Sequence, residues 1–122
     1  MKEFELQDKM RIIQEIVPGK QITLAHVIAN PDDILYRKLG LDPALDYSRA
    51  AIGIITMSPS ETAIIAGDIA IKSSGAQIGF VDRFSGTLIV TGTVSEVDTA
   101  VRAVCSYAEE TLGFTVCGVT KT

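Results

Sequence analysis

The order of strand-like and helix-like segments after residue 50 constrains this chain more than any other feature of its sequence. Short apolar runs bounded by turn residues are typical of buried strands, and apolar side chains at 3.6-residue spacing predict helices. Six such segments follow one another as strand, helix, strand, strand, helix and strand: residues 51–57, 59–74, 77–81, 87–94, 95–112 and 114–120. This order predicts a ferredoxin-like α/β (α+β) fold, with both helices on one face of an antiparallel sheet.

Local signals predict where the two long helices begin and end. Ser58 precedes Pro59 and lies three residues before Glu61, which is the spacing of a capping box with proline in the first turn. Ser95 is the expected N-cap of the second helix. Gly75 and Gly113 are the expected C-terminal stops. The first helix carries apolar residues on more than one side, which suggests a contact between subunits.

The first 50 residues add further elements to this unit. Residues 11–17 are expected to form a strand, although their apolar side chains come in pairs and do not alternate. Residues 21–29 are a cleaner strand candidate, and Pro31 is expected in the first turn of a short helix that ends near Gly40. Residues 41–50 are expected to be a connecting loop. We therefore predict a single domain over residues 1–122: an N-terminal strand (1–19), a strand, helix and linker (20–50) and the core (51–122).

Composition excludes several function classes and points to self-association. The chain has 122 residues, of which 47% are hydrophobic and 21% charged, with a net charge of −4. A small domain with this apolar content is expected to leave apolar surface for a partner, so a homo-oligomer is predicted. The scattered basic residues argue against nucleic-acid binding, and no apolar run is long enough to span a membrane. The N-terminus lacks a signal peptide, so a cytoplasmic location is expected.

The residues that could carry chemistry do not form a catalytic or metal-binding pattern. His26 is the only histidine, and we expect it to pack or to form hydrogen bonds within a strand. Cys105 and Cys117 lack metal-ligand spacing, and Cys105 lies on the apolar stripe of the second helix. No phosphate-binding or nucleophile motif occurs. The sequence therefore predicts a protein that is not an enzyme and needs no cofactor.

The hairpin loop after residue 81 leaves two interpretations open. Asp82 and Arg83 could form a simple solvated turn with one salt bridge. Alternatively, the loop could face a symmetry axis, because a hairpin tip rarely needs an arginine followed by a phenylalanine, Phe84.

Several segments together resemble the hexameric bacterial microcompartment shell proteins. The similar segments in the core are residues 51–55 (AIGII), 71–75 (IKSSG), 77–80 (QIGF) and 83–86 (RFSG). Residues 12–31 (IIQEIVPGKQITLAHVIANP) and 116–122 (VCGVTKT) resemble the circularly permuted members, namely the S-type ethanolamine-utilisation and U-type propanediol-utilisation shell proteins. The resemblance covers nearly the whole chain from about residue 10, and residues 41–49 are its variable part.

This resemblance implies a cyclic homohexamer that tiles with other shell proteins around enzymes that produce an aldehyde. It implies that Arg83, Phe84, Ser85 and Gly86 surround a central pore. Six copies of the N-terminal strand would close into a barrel over that pore, and in each copy this strand contains Ile12, Ile13, Gln14, Glu15, Ile16 and Val17. The barrel could gate or close the pore, or dock a partner such as an enclosed enzyme.

The resemblance also assigns residues to the hexamer edge. Lys72 matches an edge lysine that packs against a neighbouring hexamer. Many shell hexamers have Arg-Pro where this chain has Asn30 and Pro31, so the hydrogen bonds at this edge are expected to differ. Residues 21–29 and 114–120 compete for one position in the sheet, which suggests a five-stranded sheet.

Two other function classes remain as alternatives to a shell subunit. A ferredoxin-like module that senses a small molecule would form a dimer or trimer and would need a basic or glycine-rich ligand loop. A small enzyme of the acylphosphatase type would need an anion-binding loop and a positioned Arg–Asn pair, which Arg83 alone does not supply.

Overall fold

A computed structural model describes residues 19–41 and 50–122 of this chain as a mixed sheet with three helices. The predicted N-terminal strand and most of the predicted 41–50 loop lie outside the described residues. The elements in chain order are β1 (Gln21–Ile28), α1 (Asp33–Lys38), β2 (Ala51–Ser58), α2 (Thr62–Ser73), β3 (Gln77–Asp82), β4 (Thr87–Gly92), α3 (Val94–Glu110), β5 (Thr115–Val116) and β6 (Thr120–Lys121).

Sheet topology resolves the competition between the N-terminal and C-terminal strands. The order is β3-β4-β2-β1-β5, and β6 also pairs with β1. The pairs among β1 to β4 are antiparallel, whereas β5 and β6 run parallel to β1. Both competing segments therefore belong to the sheet, which has five positions across. Strand β1 is not an appendage, because it lies between β2 and the C-terminal strands.

The predicted last strand, residues 114–120, is interrupted. Within this C-terminal segment, β5 and β6 are the parts that pair with β1, and the residues between them form no strand. Strand β1 has a register irregularity between Ile22 and Leu24 in its pairing with β2. The register of β1 with β5 and with β6 is nevertheless the same, so the two short strands follow one line along the edge of β1.

Helices α2 and α3 pack on one face of the sheet and enclose the larger apolar core. Small side chains allow this close approach, because Ala63, Ala66 and Ala70 of α2 are buried. A Cβ atom on Gly53 would lie only 2.8 Å from Val97 Cγ1 and 2.9 Å from Val101 Cγ2. Helix α3 therefore lies directly against the backbone of β2. The expected packing of both helices on one face is confirmed.

The opposite face of the sheet carries a smaller apolar cluster beneath α1. Tyr36 and Leu41 pack there against Ile52 and Ile89. The Tyr36 hydroxyl donates a hydrogen bond to the Ala50 carbonyl. Burial, together with the nearby Asp33 carboxylate, raises the pKa of the Tyr36 hydroxyl. Alternation along β2 sends Ile52 to this cluster and Ala51 to the helical face, so both faces of the strand are apolar.

The N-caps of the helices differ from the sequence predictions. Ser58 is the last residue of β2, and α2 begins at Thr62 without a side-chain cap, so the predicted capping box does not form there. The capping box occurs instead at α3, where Thr93 Oγ1 accepts from the Glu96 amide and the Glu96 carboxylate accepts from the Thr93 amide. Thr93 thus replaces Ser95 as the cap. Asp32, not a proline-led first turn, caps α1.

Gly75, the predicted C-terminal stop of α2, lies in the junction between α2 and β3 and has a different role there. Helix α2 ends at Ser74 in extended backbone, and the Ser74 hydroxyl donates to the Glu96 carbonyl at 2.9 Å. A Cβ atom on Gly75 would lie 2.2 Å from Glu96 Oε2. A larger residue at position 75 would therefore displace the Glu96 carboxylate, which closes the capping box of α3. Gly113, by contrast, follows α3 with a φ of 73°, as a helix stop requires.

Candidate assembly surfaces

The hairpin loop between β3 and β4 is ordered by its own polar contacts. The Asp82 carboxylate accepts from the Phe84 amide at 2.9 Å and from the Ser85 hydroxyl at 2.8 Å. These hydrogen bonds, the Phe84 amide first and the Ser85 hydroxyl next, lower the pKa of Asp82. The Asp82 carboxylate is therefore bonded to the amide and hydroxyl groups of its own turn and not to Arg83. The first interpretation, a solvated turn with an Asp82–Arg83 salt bridge, does not describe this loop.

Gly86 fixes the base of this loop. Its φ is +74°, and a Cβ atom there would lie 2.2 Å from the Met57 carbonyl oxygen. The Met57 amide donates to the Gly86 carbonyl at 2.9 Å. Gly86 is buried, so its contribution to the loop is close backbone packing against the end of β2.

Arg83 and Phe84 form the exposed tip of the loop. Phe84 is 80% exposed, and the Arg83 guanidinium lies 4.9 Å from the centre of its ring. Together with Ser60 and Glu61 they line an open depression. The Ser60 hydroxyl donates to the Glu61 carboxylate at 3.2 Å. The depression therefore presents a cation, a carboxylate and an aromatic ring side by side, a combination suited to contacts with other groups.

Helix α2 exposes its large apolar side chains and buries its small ones. Ile64, Ile65 and Ile71 are 56%, 46% and 47% exposed. The predicted apolar character of more than one side of this helix is confirmed. Apolar side chains of this size on the outer face of a helix mark a contact surface, because burying each one fully stabilises by about 1.5–3 kcal/mol.

Lys72 lies on this same outer face of α2. Its ammonium group is 2.8 Å from Asp68 Oδ2, one helical turn earlier, and both side chains are largely exposed. The hydrogen bond and charge of Asp68 raise the pKa of Lys72. The lysine is charged and available for a partner, as an edge contact would need. Asn30 is also exposed after β1, whereas Pro31 is buried, so only Asn30 presents a side chain to the surface.

The remaining candidates have structural roles or lie outside the described residues. The six predicted barrel residues, 12–17, lie in the part of the chain that is not described. His26 binds the hydroxyls of Thr120 and Thr122, as its expected hydrogen-bonding role predicts. Burial, followed by the neighbouring Cys117, raises the pKa of Cys105 to about 11, so its thiol is unreactive.

Two surfaces were missed by the sequence analysis. Among the described residues, strand β3 pairs with β4 alone and exposes Ile78, Phe80 and Val81. The apolar run of β3 predicted the strand but not the exposure of these side chains. Contacts of the C-terminus with His26 were also missed. They join residues about 95 positions apart, and no local signal encodes such a pairing.

Within residues 19–41 and 50–122, no group of three or more histidine, cysteine, aspartate or glutamate side chains could hold a metal ion. In the same part of the chain, no helix has both the length and the apolar character needed to cross a bilayer.

Comparisons with known proteins show which family this chain resembles. The BMC domain model matches residues 51–119. Over 112 residues, the chain is 53% identical to the bacterial microcompartment shell protein PduU of Salmonella typhimurium, covering 92% of this chain and 93% of PduU. It is 50% identical to the shell protein EutS of Escherichia coli over 114 residues, covering 93% and 98%. A solved structure, a flat hexamer of CutR, is 46% identical with a TM-score of 0.79 and covers 97% of each chain.

These relatives identify both the family and the class within it. PduU and EutS are the propanediol-type and ethanolamine-type proteins that residues 12–31 resemble. The matched domain starts at β2, although β1 lies inside the sheet, and this arrangement fits a permuted strand order. The relatives are structural proteins, which confirms the expected absence of enzymatic activity. The chain therefore belongs to the BMC-domain family of microcompartment shell proteins, in its circularly permuted class.

Proposed function

We propose that this chain is a structural subunit of a bacterial microcompartment shell and assembles as a cyclic homohexamer. The observation that carries this proposal is the outward-facing apolar side of α2, with Ile64, Ile65 and Ile71, on a chain half identical to shell proteins. In a tiled layer of rings, these side chains and the exposed apolar residues of β3 gain partners from neighbouring copies, within a ring and between adjoining rings. Closed cyclic symmetry repeats each modest contact and thereby stabilises the assembly.

In this proposal the tips of six hairpin loops surround the central pore. Asp82 holds the loop in shape, and Gly86 anchors it to the end of β2, so Arg83 and Phe84 project from a fixed base. Residues 12–17 supply one strand per subunit to a six-stranded barrel over the pore. Closure of a barrel satisfies every strand edge, and six strands leave too narrow a lumen for free passage of metabolites.

The proposed shell encloses enzymes that produce an aldehyde and lies in the cytoplasm. Its partners are other shell proteins and, at the barrel, an enclosed enzyme. The alternative of a small-molecule sensor predicts a dimer or a trimer. Native mass spectrometry of the purified chain tests the two: six times the subunit mass is expected, and a stable trimer, dimer or monomer would contradict the shell proposal.

Deletion of residues 1–19 tests the barrel separately from the ring. Hexamers are expected to persist with an open central hole in class averages from electron microscopy, because the proposed contact surfaces on α2 and β3 lie outside residues 1–19. If the rings dissociated, the segment would be an assembly element and the proposed cap would be wrong.

Substitution of Lys72 tests the edge assignment. Lys72→Ala should reduce the extended sheets or shells seen by electron microscopy and leave hexamers intact. Lys38→Ala is the matched control, since Lys38 is also an exposed helical lysine but lies on α1. If the Lys72→Ala and Lys38→Ala variants formed extended sheets equally well, the assignment of Lys72 to the hexamer edge would be wrong.

A further inference from the structure

The start of α2 lies against the base of the β3–β4 hairpin loop. A Cβ atom on Gly86, at that base, would lie 3.0 Å from Ser60 Cα. Glu61 is the next residue along the chain, at the N-cap position of α2, and it is exposed. The Glu61 carboxylate and the Arg83 guanidinium therefore lie at the same end of the subunit, on the depression that Ser60 and Phe84 also line.

Neither of these two charges is neutralised by its own chain. In the part of the chain that the structure describes, neither Arg83 nor Glu61 belongs to an ion pair. The Arg83 guanidinium lies over the Phe84 ring, and the Glu61 carboxylate accepts from the Ser60 hydroxyl. The Asp82 carboxylate is bonded to groups of its own turn. Each subunit thus presents one cation and one carboxylate that are both available to a partner.

Six-fold symmetry makes this arrangement unfavourable unless the charges pair between copies. The inference rests on the proposed function, which puts six hairpin tips around one axis. Guanidinium groups gathered at an axis repel one another, and the repulsion grows as surrounding water is replaced by protein. The same ring brings one Glu61 carboxylate to this end for every arginine. An alternating order of cations and carboxylates converts the repulsion into attraction.

We propose that Arg83 of each subunit pairs with Glu61 of the neighbouring copy, so that a closed belt of alternating charges surrounds the axis. A second copy is the partner because it carries the complementary charge at the same end of the subunit. In a cyclic ring each copy presents two different surfaces to its two neighbours, so one surface can supply the arginine and the other the carboxylate. The planar guanidinium suits this role because it can donate two parallel hydrogen bonds to one carboxylate.

Two chains with opposite charge reversals test whether the pair joins different copies. One chain carries Glu61→Lys and presents two cations; the other carries Arg83→Glu and presents two carboxylates. Rings of either chain alone contain only repulsive contacts at the belt, whereas an alternating ring of both contains only attractive ones. A pair within one chain would stay repulsive in every ring. The two chains are co-expressed, one with an affinity tag, and the ring compositions are measured by native mass spectrometry.

Rings with three copies of each chain are expected to be the main species. Random mixing gives about a third of closed six-membered rings this composition, and a strong exposed ion pair shifts an equilibrium by up to about five-fold per contact. The excess should shrink at about 1 M salt, where the Debye length is only about 3 Å. The matched control co-expresses Glu110→Lys with Lys38→Glu, which change the net charge equally at exposed positions outside the depression, and random compositions are expected.

Random compositions for the first pair of chains, or an equal excess of mixed rings in the control, would overturn the pairing between copies. Native mass spectrometry of the parent chain separates this failure from failure of the proposed function, because parent hexamers with random mixing overturn the belt alone. If circular dichroism shows that a charge-reversed chain does not fold, Glu61→Gln and Arg83→Gln replace the reversals. The double variant should then lose no more of the hexamer than the worse single variant, and additive losses would contradict the pair.

Discussion

Replacement of Gly53 by alanine tests whether α3 is seated directly on the backbone of β2. Gly53 is buried in the middle of the strand, and its added Cβ would lie 2.8 Å from Val97 Cγ1, 2.9 Å from Val101 Cγ2 and 2.9 Å from Val90 Cγ2. Carbon atoms pack best about 3.5–4.0 Å apart, so the valine side chains or the helix must move by about 0.7 Å or more. Three atoms from two elements surround the position, and no single rotamer change relieves all three contacts.

The expected cost follows from two opposing terms. Overpacking of a well-packed core costs about 1–3 kcal/mol. Alanine also restricts the unfolded chain, which offsets about 0.4–1 kcal/mol. We therefore expect Gly53→Ala to lower the free energy of unfolding by about 1–2 kcal/mol. A second substitution, Val101→Ala, makes room for the new methyl group, so the double variant should lose less than the sum of the single losses by about 1 kcal/mol.

Urea unfolding followed by far-ultraviolet circular dichroism measures these differences, with all variants at one subunit concentration because assembly contributes to stability. Gly118→Ala is the matched control: Gly118 is exposed and has open space around it, so a change within about 0.5 kcal/mol is expected. A Gly53→Ala variant as stable as the parent, or strictly additive effects of Gly53→Ala and Val101→Ala, would refute the close seating of α3 on β2.

Two further predictions concern α3. Thr93→Ala should cost about 1 kcal/mol in urea unfolding because it removes the capping box, whereas Ser95→Ala should change stability by less than about 0.5 kcal/mol; the reverse order would restore Ser95 as the cap. Burial raises the pKa of Cys105 from 9.0 to about 11, so the folded state favours the neutral thiol. Stability should be unaffected below pH 9 and should fall between pH 9 and pH 11, by up to about 2 kcal/mol after allowance for partial solvent access. Cys105→Ala should flatten this fall, and an unchanged slope would contradict the buried-thiol explanation.

Local sequence signals predicted the helices and strands of this fold well where the apolar spacing is regular over a whole segment. The apolar stripe of α3 is buried at Val97, Val101 and Val104, as its 3.6-residue spacing indicates. Near the ends of helices several residues compete for one role. Ser95 and Thr93 are both good caps, and only the Glu96 carboxylate, three residues after Thr93, distinguishes them; that spacing was readable in the sequence.

Pairing between distant segments was not readable in the same way. The alternation of residues 21–28 predicted a strand but not its position between β2 and β5. That position depends on contacts with two segments that both come later in the chain, β2 and the much more distant β5. Likewise, residues 114–120 have the composition of one strand, but the structure keeps the ladder with β1 only at β5 and β6. For the candidate surfaces, the resemblance supplied Arg83 and Lys72, while the contacts of His26 with Thr120 and Thr122 required the structure.

Two described residues on either side of 42–49 depend on one cluster. Leu41 is buried in the smaller cluster, and the Tyr36 hydroxyl holds the Ala50 carbonyl next to the same cluster. A substitution that disrupts this cluster would therefore loosen the chain at both positions at once, whereas the larger core beneath α2 and α3 would keep its own contacts.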